Sequence, residues 1–125
     1  MPFCNRYGIG ILPYYPLARG FLTGKYRRNQ PIPNGTRLAN DPANQQRLFS
    51  EDNFAILEAL EHFAAENGRT IVQLAIAWLL YNPTVSSVIA GATNAEQVTA
   101  NAKAWDWELS KTDVSIINDI LCKNC

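Results

Sequence analysis

Three cysteines, one histidine and no surplus of either charge are what this 125-residue chain has to offer in the way of obvious chemistry. An odd cysteine count, with no signal-peptide layout in the opening MPFCNRYG, argues against a disulfide framework. Cys122 and Cys125 form a C-x-x-C at the chain's end, but with no second pair and one remote histidine they read as a tail, not a redox or metal site. Eleven Lys and Arg balance eleven Asp and Glu. No basic stripe rises above that mixture, which excludes the usual electrostatic footprint of a nucleic-acid or membrane-surface binder. Apolar runs stay well short of the roughly 20 residues of a membrane helix. A cytoplasmic, metal-free protein is the expectation.

What is present is concentrated in two stretches about seventy residues apart. Pro13–Tyr26, PYYPLARGFLTGKY, follows the apolar residues Ile9, Ile11 and Leu12. Ser86–Asn101, SSVIAGATNAEQVTAN, carries an apolar run into Gly91 and a capped helix. Each reads as a strand followed by a glycine-containing loop with free backbone N–H groups or hydroxyls, the local chemistry that holds a phosphate. Thr93 is read as the N-cap of the helix, with Thr93-x-x-Glu96 as its capping box. Gln97 and Asn101 follow at intervals of four and share a helix face with Thr93. Their amides both donate and accept, which suits an adenine edge, although a solvated surface would use the same residues.

Between and around these loops the pattern is α/β. Gly8–Leu12 reads as a buried strand. Residues 25–50, polar and proline-rich, are too long for a neutral connector and read as a functional flap or a mobile excursion. Asp52 to Asn67 is an amphipathic helix with Ile56, Leu57, Leu60, Phe63 and Ala64 on its stripe. Thr70-x-x-Gln73 opens a second helix to about Tyr81, apolar nearly all round and expected to be buried. Val85–Ala90 reads as a second strand, and Ser110-x-x-Asp113 opens the last helix. Two parallel strands are too few for a sheet that must be covered and continued at its edges. The fold class is therefore α/β, the C-terminal portion (about strands seven and eight and their helices) of a (β/α)8 TIM barrel, incomplete as an isolated chain. Such barrels place phosphate sites in the loops after these strands.

The strings PLARGFLTGKY, TIVQLAIAWLL and VSSVIAGATNAEQVTAN, in that order, resemble the C-terminal part of the aldo/keto reductases. The nearest pattern is the branch of potassium-channel beta subunits and their bacterial relatives. The resemblance implies a nicotinamide cofactor. Tyr14, Pro16, Leu17, Ala18, Gly20 and Leu22 match positions along the nicotinamide ribose and pyrophosphate. Lys25 matches a lysine that reaches the phosphates, and Arg37 an arginine on the flap near the adenosine. Gly91, Thr93, Gln97 and Asn101 match positions that hold the 2′-phosphate and adenine. Two positions depart from the pattern. Tyr15 stands where a small serine is common, and Asn94 where some members have a cation. NADPH is expected because Lys25 and Arg37 are available, with NADH left open.

The family's catalytic tyrosine, with its lysine, histidine and aspartate, comes from the first half of the barrel. Nothing in this chain matches it. His62, beside Glu58 and Glu61, reads as a surface residue, and no tyrosine has the accompanying set. The expected function is the cofactor-binding part of an NADPH-dependent carbonyl reductase, inert alone, taking a small carbonyl substrate only in a complete barrel. A non-catalytic nucleotide-binding module and a truncated product without function are the alternatives. Self-association through exposed strand edges is a further expectation.

Overall fold

The computed structural model describes residues 2–122. Its helices are α1 (Pro2–Arg6), α2 (Pro42–Leu48), α3 (Glu51–Glu66), α4 (Ile71–Leu80), α5 (Ala95–Ala102) and α6 (Lys111–Cys122). Two short 3-10 turns meet across a kink at Ala18–Thr23, and a further one lies at Lys103–Asp106. Cys125, the second half of the terminal C-x-x-C, lies outside the described residues. Cys122 is exposed.

Helix boundaries follow local chemistry. Ser50 caps α3 by accepting from Asn53 N. At the other end Gly68, with φ near 66°, takes the left-handed conformation that lets Arg69 N bond back to Ala64 O. The Thr70–Gln73 capping box forms in full at the start of α4. At α6, Ser110 and Asp113 bond reciprocally, with Asp113 N donating to Ser110 Oγ and Ser110 N to Asp113 Oδ2. In α3 the buried stripe is Phe54, Leu57, Leu60, Phe63 and Ala64, with Ile56 at its margin. Helix α4 is less enclosed than its composition suggests. Ile71, Leu74, Ile76 and Ala77 are buried, while Trp78 remains exposed.

The two apolar runs read as strands meet at one parallel pairing, Ile11 with Val85. Ile11 N donates to Thr84 O at 2.7 Å, and Ser86 N to Ile11 O at 2.9 Å. Gly10 permits the approach: a Cβ there would stand 2.2 Å from Ser86 Oγ. Among the described residues the pairing extends no further, and neither Gly8–Leu12 nor Val85–Ala90 becomes a regular strand. A ladder is held from both sides in a parallel sheet, and here each run has only the other as a neighbour.

Residues 25–50 correct the expectation of a mobile excursion. Tyr26 and Leu38 are among the most deeply buried side chains of the protein. Leu38 N donates to the Tyr26 hydroxyl at 3.4 Å, and Gln45 Nε2 to Leu38 O at 2.5 Å. Phe49 stacks obliquely on Phe21, Tyr26 and Phe54, with ring centroids 5.4–5.9 Å apart. Outside this cluster Arg27 pairs with Glu61, and Arg28 with both Glu51 and Glu58. The segment is a strap sealed onto α3. Its anchors are single apolar residues spaced too irregularly to show a period.

Candidate functional site

The first loop is built on uncommon backbone. Tyr15, Ala18 and Arg19 have φ of 57°, 47° and 58°, three of the four non-glycine residues in the left-handed region among those described. Each such residue costs about 1–3 kcal/mol and persists only where its surroundings hold it. Phe21 supplies part of that hold from the core, and Leu17 O accepts from both Gly20 N and Leu22 N. Gly20, at φ 95°, leaves room for Lys25: a Cβ there would stand 3.0 Å from Lys25 Nζ. Thus Gly20 and Lys25, both expected in the site, are neighbours.

Aromatic and cationic side chains crowd the same loop. The Tyr14 and Tyr15 rings lie 4.0 Å apart. The Arg19 guanidinium sits 4.5 Å from the Tyr15 ring centre, and Arg37, reaching over from the strap, 5.8 Å. Hydrogen bonding to Tyr14 holds the Tyr15 phenol below its ordinary range, and the Arg19 charge acts in the same direction. The same bond raises Tyr14. Arg19 is tied down by Asp41 at 3.6 Å. Asp41 in turn caps α2 through Asn44, whose side-chain and backbone hydrogen bonds keep the carboxyl below its usual range.

Arg37 joins the two loops. A Cβ on Gly91 would stand 3.5 Å from Arg37 Nη2, so the strap's guanidinium lies against the second loop. Among the described residues neither Arg37 nor Lys25 is in an ion pair, whereas Arg19, Arg27 and Arg28 all are. Arg37 lies over Tyr15 and against Gly91, and Lys25 beside Gly20 and over Tyr26, so each of these two places holds a cation with no carboxylate partner. The arrangement suits an anion with several oxygens.

The second loop is local in its construction, and one expectation about it is wrong. Asn94, not Thr93, caps α5: its side chain accepts from Gln97 N at 2.9 Å. Gln97 Oε1 reaches back to Thr93 N at 2.7 Å and to the Thr93 hydroxyl at 3.1 Å. Asn is at least as good a cap as Thr, and Asn94-x-x-Gln97 spells the same signal one residue later. That overlapping pattern was the available clue. The first-turn amides of Ala95 and Glu96 have no partner within the helix, as at any helix start. Asn101 Nδ2 donates to Gly91 O at 3.5 Å, so Gly91, Thr93, Gln97 and Asn101 do come together. Arg19 and Asp41 belong to this region, and neither carries a sequence signal of its own.

Two surface cavities of about 190 Å³ each lie elsewhere. One is lined by strap and α3 residues including Tyr26, Ile32 and Phe54, the other by Trp78, Tyr81 and Val114. No expected cofactor residue lines either. In the candidate site Lys25, Arg37 and residues 91–100 are exposed. His62 is exposed and pairs, among the described residues, with Glu66 at 3.3 Å.

Comparison with known proteins identifies the family. The model of the Aldo/keto reductase family matches residues 1–121. A probable voltage-gated potassium channel subunit beta from Arabidopsis thaliana is 43% identical over 85% of this chain and 33% of its own length. An L-glyceraldehyde 3-phosphate reductase from Escherichia coli K12 is 36% identical over 78% of this chain and 29% of its own. An NADH-specific methylglyoxal reductase from the same strain is 32% identical over 96% of this chain. The chain thus spans about a third of the length of the curated relatives it matches. Among solved structures, a glycerol dehydrogenase from Gluconobacter oxydans superposes with a TM-score of 0.80 at 28% identity, over 98% of this chain and 37% of that one.

Proposed function

Since the chain belongs to the aldo/keto reductase family, we propose that these residues form the cofactor-binding end of an NADPH-dependent carbonyl reductase. They correspond to the region of strands seven and eight of a (β/α)8 barrel. The observation that carries the reading is Arg37 lying against Gly91 and over Tyr15, which brings strap, first loop and second loop to one place. Lys25 and Arg37 would hold the phosphates, with Arg37 and the start of α5 available to a 2′-phosphate. Tyr14, Pro16, Leu17, Ala18 and Leu22 line the ribose and nicotinamide side. Gln97 and Asn101 face the adenine.

A nicotinamide held there would supply hydride. Proton donation to the developing alkoxide needs a tyrosine with lysine, histidine and aspartate around it, and the described residues hold no such set. Turnover of a carbonyl would need such a set from outside these residues, and they alone turn over none. A second reading, a nucleotide-binding regulatory subunit without turnover, is favoured by the two plant relatives at 41% and 43% identity named as channel beta subunits. Exposed Ile9, Leu12 and Ile89 beside the single parallel pairing support association of this edge with further chain or with another copy. Fluorescence titration of the full-length protein with NADPH and NADH tests the cofactor. Saturation with neither sinks it. NADPH oxidation with a carbonyl panel then separates reductase from regulatory subunit.

A further inference from the structure

Tyr15 is a large ring in backbone of positive φ, on the surface assigned above to the cofactor, with a guanidinium over it from each of two separate segments. Arg19 comes from the same loop and is fixed by Asp41 at the start of α2. Arg37 comes from the strap, and its described contacts are the Tyr15 ring and the neighbourhood of Gly91. An arginine held by a carboxylate spends its N–H groups on that partner. One held over an aromatic ring keeps its donors in the guanidinium plane for another acceptor.

Resting on the cofactor reading, we propose that Tyr15 is the latch of the strap. Its ring holds Arg37 against Gly91 with the N–H groups free, and thereby sets the preference for a nucleotide bearing a 2′-phosphate. Tyr15 is a positioning residue, acting through Arg37. A serine in its place removes the ring that Arg37 lies over. Phenylalanine keeps the ring and loses only the hydroxyl.

The test uses the full-length protein with Tyr15→Ser, Tyr15→Phe, Arg37→Ala and the Tyr15→Ser/Arg37→Ala pair. Affinities for NADPH and NADH are measured by fluorescence titration. Trypsin cleavage after Arg27, Arg28, Arg37 and Arg47 is followed without nucleotide. Tyr15→Ser should lower the NADPH-to-NADH affinity ratio about fivefold, the scale of one cation–π contact, and speed cleavage in the strap several-fold. Tyr15→Phe should stay within about twofold of the parent on both readouts, a ring having a similar face with or without its hydroxyl. In the Arg37→Ala background the serine substitution should leave the ratio unchanged, as expected for two residues acting as one unit. An unaltered ratio in Tyr15→Ser, or an undiminished loss in the Arg37→Ala background, overturns the latch. If the unsubstituted protein binds neither nucleotide, the cofactor reading itself falls, and the nucleotide preference assigned to Tyr15 falls with it.

Discussion

The two loops that meet at Arg37 are built in opposite ways. The first, with its strap, is a tertiary object. Phe21, Tyr26 and Leu38 are buried, Phe49 joins their cluster, and Arg19–Asp41 and Tyr15–Arg37 tie segments distant in sequence. The second is nearly all short-range. Residues 91–100 are exposed throughout, α5 buries nothing, and its bonds run from Asn94 to Gln97 and from Gln97 to Thr93. A site made this way has one wall set by the core and one set by a helix cap. Damage should register differently on each.

The sharpest break is Leu38→Ala. Leu38 is fully enclosed, and loss of its side chain should cost about 2–5 kcal/mol. Val98→Ala on α5, where the side chain is mostly exposed, should stay within about 0.5 kcal/mol. Urea unfolding of both variants measures the contrast, and equal losses would erase it. Next in size is binding. Lys25→Ala and Arg37→Ala should each weaken NADPH by roughly tenfold or more, since a charge-assisted hydrogen bond contributes about 1.5–3 kcal/mol. Fluorescence titration gives the answer, and an unchanged affinity removes that residue from the site.

A smaller effect separates cap from bystander in the second loop. Asn94→Ala should cost about 1 kcal/mol, seen as faster amide exchange across residues 95–102, and Thr93→Ala clearly less. The reverse order would restore Thr93 as the cap. The smallest effect is a pH dependence confined to the first region. Hydrogen bonds from Asn44, with Arg19 assisting, depress the Asp41 carboxyl below its ordinary value of 3.8. Its contribution is therefore complete above that value and disappears as pH falls through the lower folded value. Acid unfolding of Asp41→Asn should lack this component. Identical acid limbs for parent and variant would remove Asp41 from the account.

How much was legible follows the same division. The Thr70–Gln73 and Ser110–Asp113 boxes, the α3 stripe and the glycine stop at Gly68 were readable because each is a contact over three or four residues. Thr93 was misread as the cap because two overlapping capping signals differ by one residue, and local chemistry alone ranks them closely. The reading of the strap as a functional flap or a mobile excursion missed its packing because Tyr26, Leu38 and Phe49 are separated by polar and proline residues with no period to betray them. The ladder is a single pairing, because a parallel run needs neighbours on both sides that these residues do not supply to each other.

By itself, then, the order of residues determined the four helices α3 to α6, most of their ends, the family, and which cations and amides were available. Those are properties of short windows, where a hydrogen bond or a hydrophobic period is satisfied by residues close along the chain. Only the tertiary structure decided that Arg37 would cross to Gly91, that Arg19 would lock to Asp41, and that Tyr15 would stand beneath both guanidinia. The physical reason is burial. Packing Tyr26, Leu38 and Phe49 onto α3 folds the strap back across the first loop, and it is that return of the chain which brings the three segments within reach.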